Sequence, residues 1–332
     1  MQSSMKSAGG FLRSDAVQRV LALGALVIIA IFFTLASPFF LTTNNVINIV
    51  LATSVVGILA IGVTFPIITA GIDLSVGTNL SLSAVITAII ITNAGLPVPV
   101  GIVGGVLAGG TVGLINGTLI ARVGLPPFIA TLGMLNVARG LALVLSDVRP
   151  VYFRNNPEFA EFFRGSIVDS LTPGFDIPLP NIALVFFGAA IVAGFILSKT
   201  VLGRYIFAIG SNEEATRLSG VRAVRYKASA YVLSGLFAGL AGVMLAARLN
   251  SGQPAEGFGM ELDAIAAAVI GGTSLSGGEG SIFGTVIGAF IISTLTNGLR
   301  LMAVPQEWQI TITGIIVILA VYLDILRRRQ NA

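Results

Sequence analysis

The chain has 332 residues, of which 55% are apolar and only 10% charged, and its mean hydropathy is strongly positive at +0.95; a soluble protein carries more than twice that charged fraction. Its 19 basic and 15 acidic residues leave a net charge of +4, and cysteine and histidine are both absent. Disulfides, Ser-His or Cys-His nucleophilic chemistry and the usual zinc sites are thereby excluded, and the positive charge reflects membrane topology, not nucleic-acid binding.

Apolar runs long enough to cross a bilayer recur along the whole length. The fold class expected is therefore an all-α polytopic membrane protein with about ten transmembrane helices. Residues 1–19 are polar, and the first span runs from about Val20 to Ala36 with no small-residue cleavage site after it, which argues against a signal peptide. The second, about Val46 to Ile68, ends at Thr69-Ala70-Gly71-Ile72-Asp73-Leu74-Ser75, where glycine and a carboxylate interrupt the hydrocarbon pattern. A third covers about Val76 to Thr92. The fourth, about Val98 to Ala121, carries Gly105, Gly109, Gly113 and Gly117 at intervals of four. That stripe is a close-packing seam, facing either another helix of the same chain or a second copy.

Pro126 and Pro127 open the fifth span, about Phe128 to Leu145, at positions where a missing N–H costs nothing. Residues 146–180 form the longest polar segment. The sixth span is about Asn181 to Ser198 and the seventh about Ala228 to Ala247. The stretch 261–300 has a glycine-rich break at Gly271 to Gly280 and reads as two spans, about Glu261 to Ile270 and Ile282 to Leu299, or as a pair that dips and returns. A tenth, about Ile310 to Leu326, ends in Arg327, Arg328 and Arg329.

With both ends in the cytoplasm, most of the basic residues, among them Lys6, Arg13, Arg19, Arg122, Lys199, Arg204, Arg217, Arg222, Arg225 and Lys227, fall inside, as the positive-inside rule requires. This places residues 146–180 outside and the polar run Val201 to Arg225 in the cytoplasm. There is also an echo between TAGIDLSVG at 69–77 and IGGTSLSGG at 270–278. Either it is chance in a chain rich in glycine and serine, or the halves are two inverted five-helix repeats with their breaks near the substrate route.

Within the cytoplasmic run, Ser211 with Glu214 three positions on has the spacing of a capping box. Glu213 and Glu214 suit the first turn of a helix, and Gly220 suits its end. A surface helix of about two turns is marginal alone, so it is either a solvated linker or a docking element. Asp73 is the most informative charge: a carboxylate at a membrane-depth break either faces a polar cavity or caps the third helix. Glu261 and Asp263 stand at a span entrance, where capping is the stronger reading. Arg139 either pairs with an acid or snorkels outward. Asn116, Asn136 and Asn297 can serve sugar hydroxyls or bond to neighbouring helices. The Ser-Lys-Thr at 198–200 lacks the glycines of a phosphate-binding loop, so ATP, if it drives the protein, is hydrolysed on another chain. No metal or cofactor is expected.

The segments ILATSVVGILAIGVTFPIITAGIDLSVG, PPFIATLGM, GRYIFAIGSNEEATRLSGV and ELDAIAAAVIGGTSLSGGEGSIFGTVIGA closely resemble the permease subunit of bacterial ribose-type ABC importers, from about Asn44 to Leu323. The resemblance implies a permease domain over 20–326, with a periplasmic loop at 146–180, a cytoplasmic coupling loop at 199–227 and a cytoplasmic tail at 327–332. It implies a homodimer in the bacterial inner membrane, two cytoplasmic ATPase subunits, a periplasmic sugar-binding protein, and a ribose-like sugar or a polyol such as inositol as cargo. By the same resemblance Gly210 to Gly220 looks like the coupling helix. Glu213, Glu214, Arg217 and Leu218 would contact the ATPase, Ala215 and Ser219 would keep the helix thin, and Ser211, Asn212 and Gly220 would bound it. Asp73, Asn116, Asn136 and Asn297 are the candidates for the pathway. An ion-coupled secondary sugar carrier is the alternative, although one candidate acid and no histidine support it thinly.

Overall fold

The computed structural model describes residues 15–154, 156–168 and 179–329. The polar segment before residue 15, part of the 146–180 stretch and the last three residues lie outside them. The elements are α1 (Asp15–Ala36), α2 (Thr43–Ile68), α3 (Val76–Ala88, extended by a π turn at Ile89–Asn93), α4 (Val98–Thr118, extended by a π turn at Leu119–Val123), α5 (Pro127–Leu145), α6 (Pro157–Arg164) and α7 (Asn181–Lys199). They continue with α8 (Val201–Ser211), α9 (Glu213–Leu218), α10 (Ala223–Leu249), α11 (Met260–Ile270), α12 (Ile282–Leu301) and α13 (Gln306–Arg329). A single antiparallel bridge among the described residues joins β1 (Val151–Tyr152) to β2 (Ser251–Gly252).

The protein is an all-α polytopic membrane protein. Among the described residues seven helices are long and apolar enough to cross a bilayer, namely α2, α3 with its π turn, α4 with its π turn, α5, α7, α10 and α12. Val20–Ala36 of α1, α8 and Gln306–Leu319 of α13 are apolar but shorter. The expected count of ten is therefore not reached on length. The clearest shortfall is α11, whose 11 residues extend about 16 Å, roughly half a hydrocarbon core of about 30 Å. The stretch 261–300 is a half-length helix that turns and returns as a full-length one: Gly271 packs on Gly284, and Gly288 on Ala267.

The centre of the bundle is α10. Of its most apolar window 78% is buried, against 33% for α4 and for α5, so α10 is surrounded by protein while those two carry an outward face. Glycines explain the approach. Gly62 of α2 sits against Ser234 and Phe237, Gly242 of α10 against Leu80 and Ser83 of α3, and Gly109 and Gly235 face each other across the α4–α10 seam with no room for a side chain on either. The four-residue glycine stripe of α4 thus packs within the chain. Gly105 lies against Thr87 and Val243, Gly113 against Tyr231 and Gly235, and Gly117 against Ala228.

Both interruptions seen in the sequence begin with the same helix-ending turn. At the end of α2 the left-handed residue is Ala70 (φ 59°), with Gly71 N donating to Pro66 O at 3.0 Å and Ala70 N to Ile67 O at 2.9 Å. At the end of α11 it is Gly272 (φ 94°), with Thr273 N donating to Ala268 O and Gly272 N to Val269 O, both at 2.9 Å. Each pair of bonds satisfies two terminal carbonyls. The two turns are one residue out of register with the sequence echo, because the left-handed positions are 202 residues apart and the echo is offset by 201.

Candidate functional site

At the end of the bundle where α10 begins, α9 projects from the protein. Its six residues are exposed on every side except at Thr216, and Leu218 leaves 77% of its surface in the open. The residue that starts it is Asn212, whose Oδ1 accepts from Ala215 N at 2.9 Å. This corrects the capping box expected from Ser211 and Glu214. Helix α8 continues through Ser211, so the break in helical dihedrals falls one residue later, at Asn212 (φ −161°, ψ 99°). Asparagine caps as well as serine does. Glu214 points forward instead, pairing with Arg217 at 2.8 Å. That hydrogen bond first, and the charge of Glu214 second, push the Arg217 guanidinium above its usual pKa; on a pair this exposed the gain in stability is small.

A second pair, Lys227 to Glu213 at 2.8 Å, ties α9 to the first turns of α10, and Lys227 is only 17% exposed. Gly220 (φ 83°) closes the segment, its N–H donating to Arg217 O at 3.0 Å. The helix is therefore anchored at its start and its end, while Glu214, Ala215, Arg217, Leu218 and Ser219 face outward.

Deeper in the bundle lies a closed polar centre. Asp73, 1% exposed, accepts from Ser75 N at 3.0 Å and Ser75 Oγ at 2.7 Å on one oxygen, and from Ser234 Oγ of α10 at 2.8 Å on the other. Asn116 Nδ2 of α4 donates to Ser75 Oγ at 2.9 Å and reaches Asp73 at 3.5 Å. No ion pair among the described residues involves Asp73. Neutral donors on three elements hold it and offset part of the cost of burying a carboxyl group. The carboxylate both turns the chain into α3 and pins the break to α4 and α10.

The remaining candidates separate. Asn297 is committed to Asn45: each amide donates to the other, at 2.9 and 3.0 Å, joining α12 to α2. Asn136 instead stands exposed on α5, bonded only to Leu132 O of its own helix at 3.2 Å, with Gly133 and Gly140 on the same open face. Arg139 makes no ion pair among the described residues; its guanidinium lies 4.3 Å from the Phe258 ring centroid. Glu261 Oε2 accepts from Gly259 N at 3.0 Å at the start of α11, the capping role expected of it. Sequence reasoning missed Ser234 and Lys227. Neither stands out locally, since a serine in an apolar helix and a lysine after a polar loop are ordinary; their partners lie 161 and 14 residues away.

A polytopic helical bundle that presents one anchored polar helix beyond its spans matches the architecture of a multi-pass membrane permease, and the chain's relatives are permeases. More specifically, the chain belongs to the family described as branched-chain amino acid transport system / permease component, which matches residues 45–321. It is 43% identical over 308 residues to the ribose import permease protein RbsC of Bacillus subtilis (strain 168), covering 92% of each chain. It is 41% identical over 298 residues to the D-allose transport system permease protein AlsC of Escherichia coli (strain K12), covering 90% of this chain and 88% of that one. With the L-arabinose ABC transporter permease protein AraH of Azospirillum brasilense it shares 39% identity over 308 residues, 92% of this chain and 88% of the other. No solved structure matches the chain.

Proposed function

We propose that this chain is the membrane-spanning subunit of an ATP-binding-cassette importer for a monosaccharide or polyol, with α9 as the helix that docks on a separate cytoplasmic ATPase. The observation that carries the reading is α9 itself: a six-residue helix fixed at both ends, with Leu218 exposed and Glu214 and Arg217 paired beside it. Relatives named as ribose, allose and arabinose permeases supply the substrate class. On this reading the chain is not itself an enzyme. It sits in the bacterial inner membrane with both termini in the cytoplasm, and a periplasmic binding protein delivers the cargo to the opposite end, where β1 and β2 lie.

The pathway then forms between two copies of the chain. Within one copy Asp73 and Asn116 are enclosed and Asn297 is bonded to Asn45, whereas Asn136 is an amide on an outward apolar face, which lipid would leave poorly satisfied. Of the four candidates, this exposure supports Asn136 as the one that meets a hydroxylated substrate or a second copy. Alternating access follows from rocking of the spans as the ATPases close and move α9.

The test is uptake of labelled D-ribose, D-allose, L-arabinose and myo-inositol by cells carrying the neighbouring ATPase and binding protein, comparing the wild type with Glu214→Ala and Arg217→Ala. Both variants are expected to reach the membrane, to lose uptake and to stop co-purifying with the ATPase. Uptake that persists without any ATPase would sink the reading and favour an ion-coupled carrier.

A further inference from the structure

Three backbone segments far apart in the sequence meet directly behind α9. The turn that ends α2 satisfies the carbonyls of Pro66 and Ile67 but not that of Ile68, which accepts instead from Gly278 N at 2.9 Å, in the break between α11 and α12. Gly210, in the last turn of α8, lies across the same point. A methyl on its Cα would run into the Ile68 carbonyl and the Gly278 nitrogen. Gly277 (φ 83°) and Gly278 (φ 76°) adopt left-handed backbone to make the approach. A Cβ on Gly277 would stand 2.9 Å from both Ala70 N and Gly210 O, and one on Gly278 would stand 2.7 Å from Ser211 Oγ and 3.1 Å from Ser211 Cα.

Asn212, the residue that caps α9, follows Ser211 immediately, so there is no slack chain between this contact and the exposed helix. Side chains in contact can change rotamer and slide. Backbone packed on backbone cannot, and it moves as a unit or comes apart. Five residues beyond Ile68 the chain reaches Asp73, which is bonded to Ser234 on α10 and, through Ser75, linked to Asn116 on α4.

We infer that Gly210 and Gly278 are positioning residues that clamp α9 to both glycine breaks, so that a displacement of α9 reaches the end of α2 and the α11–α12 turn together. The inference rests on the proposed docking role of α9 and adds to it where the motion goes. A merely structural role for the glycines would alter folding or amount of protein. The clamp instead predicts a change in how tightly hydrolysis is tied to transport.

The experiment uses the full complex in proteoliposomes, with the binding protein loaded with whichever of the four compounds above is taken up. Gly278→Ala puts alanine at a left-handed position and a methyl against Ser211, loosening the clamp while the sequence of α9 stays intact. It is expected to keep the ATPase bound while the ratio of binding-protein-stimulated to basal ATP hydrolysis falls at least fivefold. Gly188→Ala on α7, where nothing lies within 4 Å, serves as the control and leaves the ratio unchanged. Hydrogen exchange on the wild-type complex gives a reading independent of any variant: the peptide carrying the Gly278 amide stays as protected during turnover as at rest. Faster exchange there during turnover, or a normal stimulation ratio in Gly278→Ala, overturns the clamp. Failure of the wild-type chain to bind the ATPase would overturn the docking role of α9 instead.

Discussion

Ser234 on α10 donates a 2.8 Å hydrogen bond to the carboxylate of Asp73 across 161 residues of sequence. Asp73 has no cationic partner among the described residues, so each neutral donor matters. Leaving a buried hydrogen-bonding group unsatisfied costs about 1–3 kcal/mol. Ser234→Ala is expected to destabilise the detergent-solubilised protein by about that amount. In an Asp73→Asn background the same substitution costs less, and a double-mutant cycle on thermal unfolding measures the difference. Additive effects would show that the bond contributes nothing.

The contact between Gly109 and Gly235 admits no side chain. Gly109→Ala or Gly235→Ala forces α4 away from α10, and overpacking of this kind costs roughly 1–3 kcal/mol. Gly188→Ala meets no neighbouring atom and is expected to be neutral or slightly stabilising, since alanine is the better helix former. Melting temperatures of the three variants, compared side by side, check the order.

Asn45 and Asn297 satisfy each other between α2 and α12. Replacing Asn45 by leucine strands the Asn297 amide, at a cost of about 1 kcal/mol for a hydrogen bond between membrane helices, whereas Asn45 also donates to Phe40 O at 2.8 Å and keeps that bond when Asn297 is replaced. The double leucine variant is expected to recover most of that loss. Uptake by the double variant is expected to stay near wild type if the pair is purely structural, and a full loss would return Asn297 to the pathway.

Because Asn212, not Ser211, caps α9, Asn212→Ala is expected to weaken the helix by about 1 kcal/mol. Amide exchange at Ala215 and Thr216 then accelerates about fivefold. Ser211→Ala leaves that exchange unchanged. The reverse pattern would restore the capping box.

The sequence by itself determined the class of fold, because burying backbone in hydrocarbon leaves only helices, and long apolar runs mark them whatever surrounds them. It also placed both breaks and the projecting helix: glycine, Asp73 and a run of charges are local signals. The caps were legible to within one residue, since Ser211 and Asn212 have nearly equal capping propensity and only the course of α8 decides between them. The tertiary structure alone decided which way each face turns. The α4 glycine stripe faces α10 and not a second copy, Asn297 meets Asn45 while Asn136 stays open, and α11 stops at half length. Spacing along one helix fixes which residues share a face, but what that face meets depends on chain returning from up to 252 residues away, and no local pattern carries that distance.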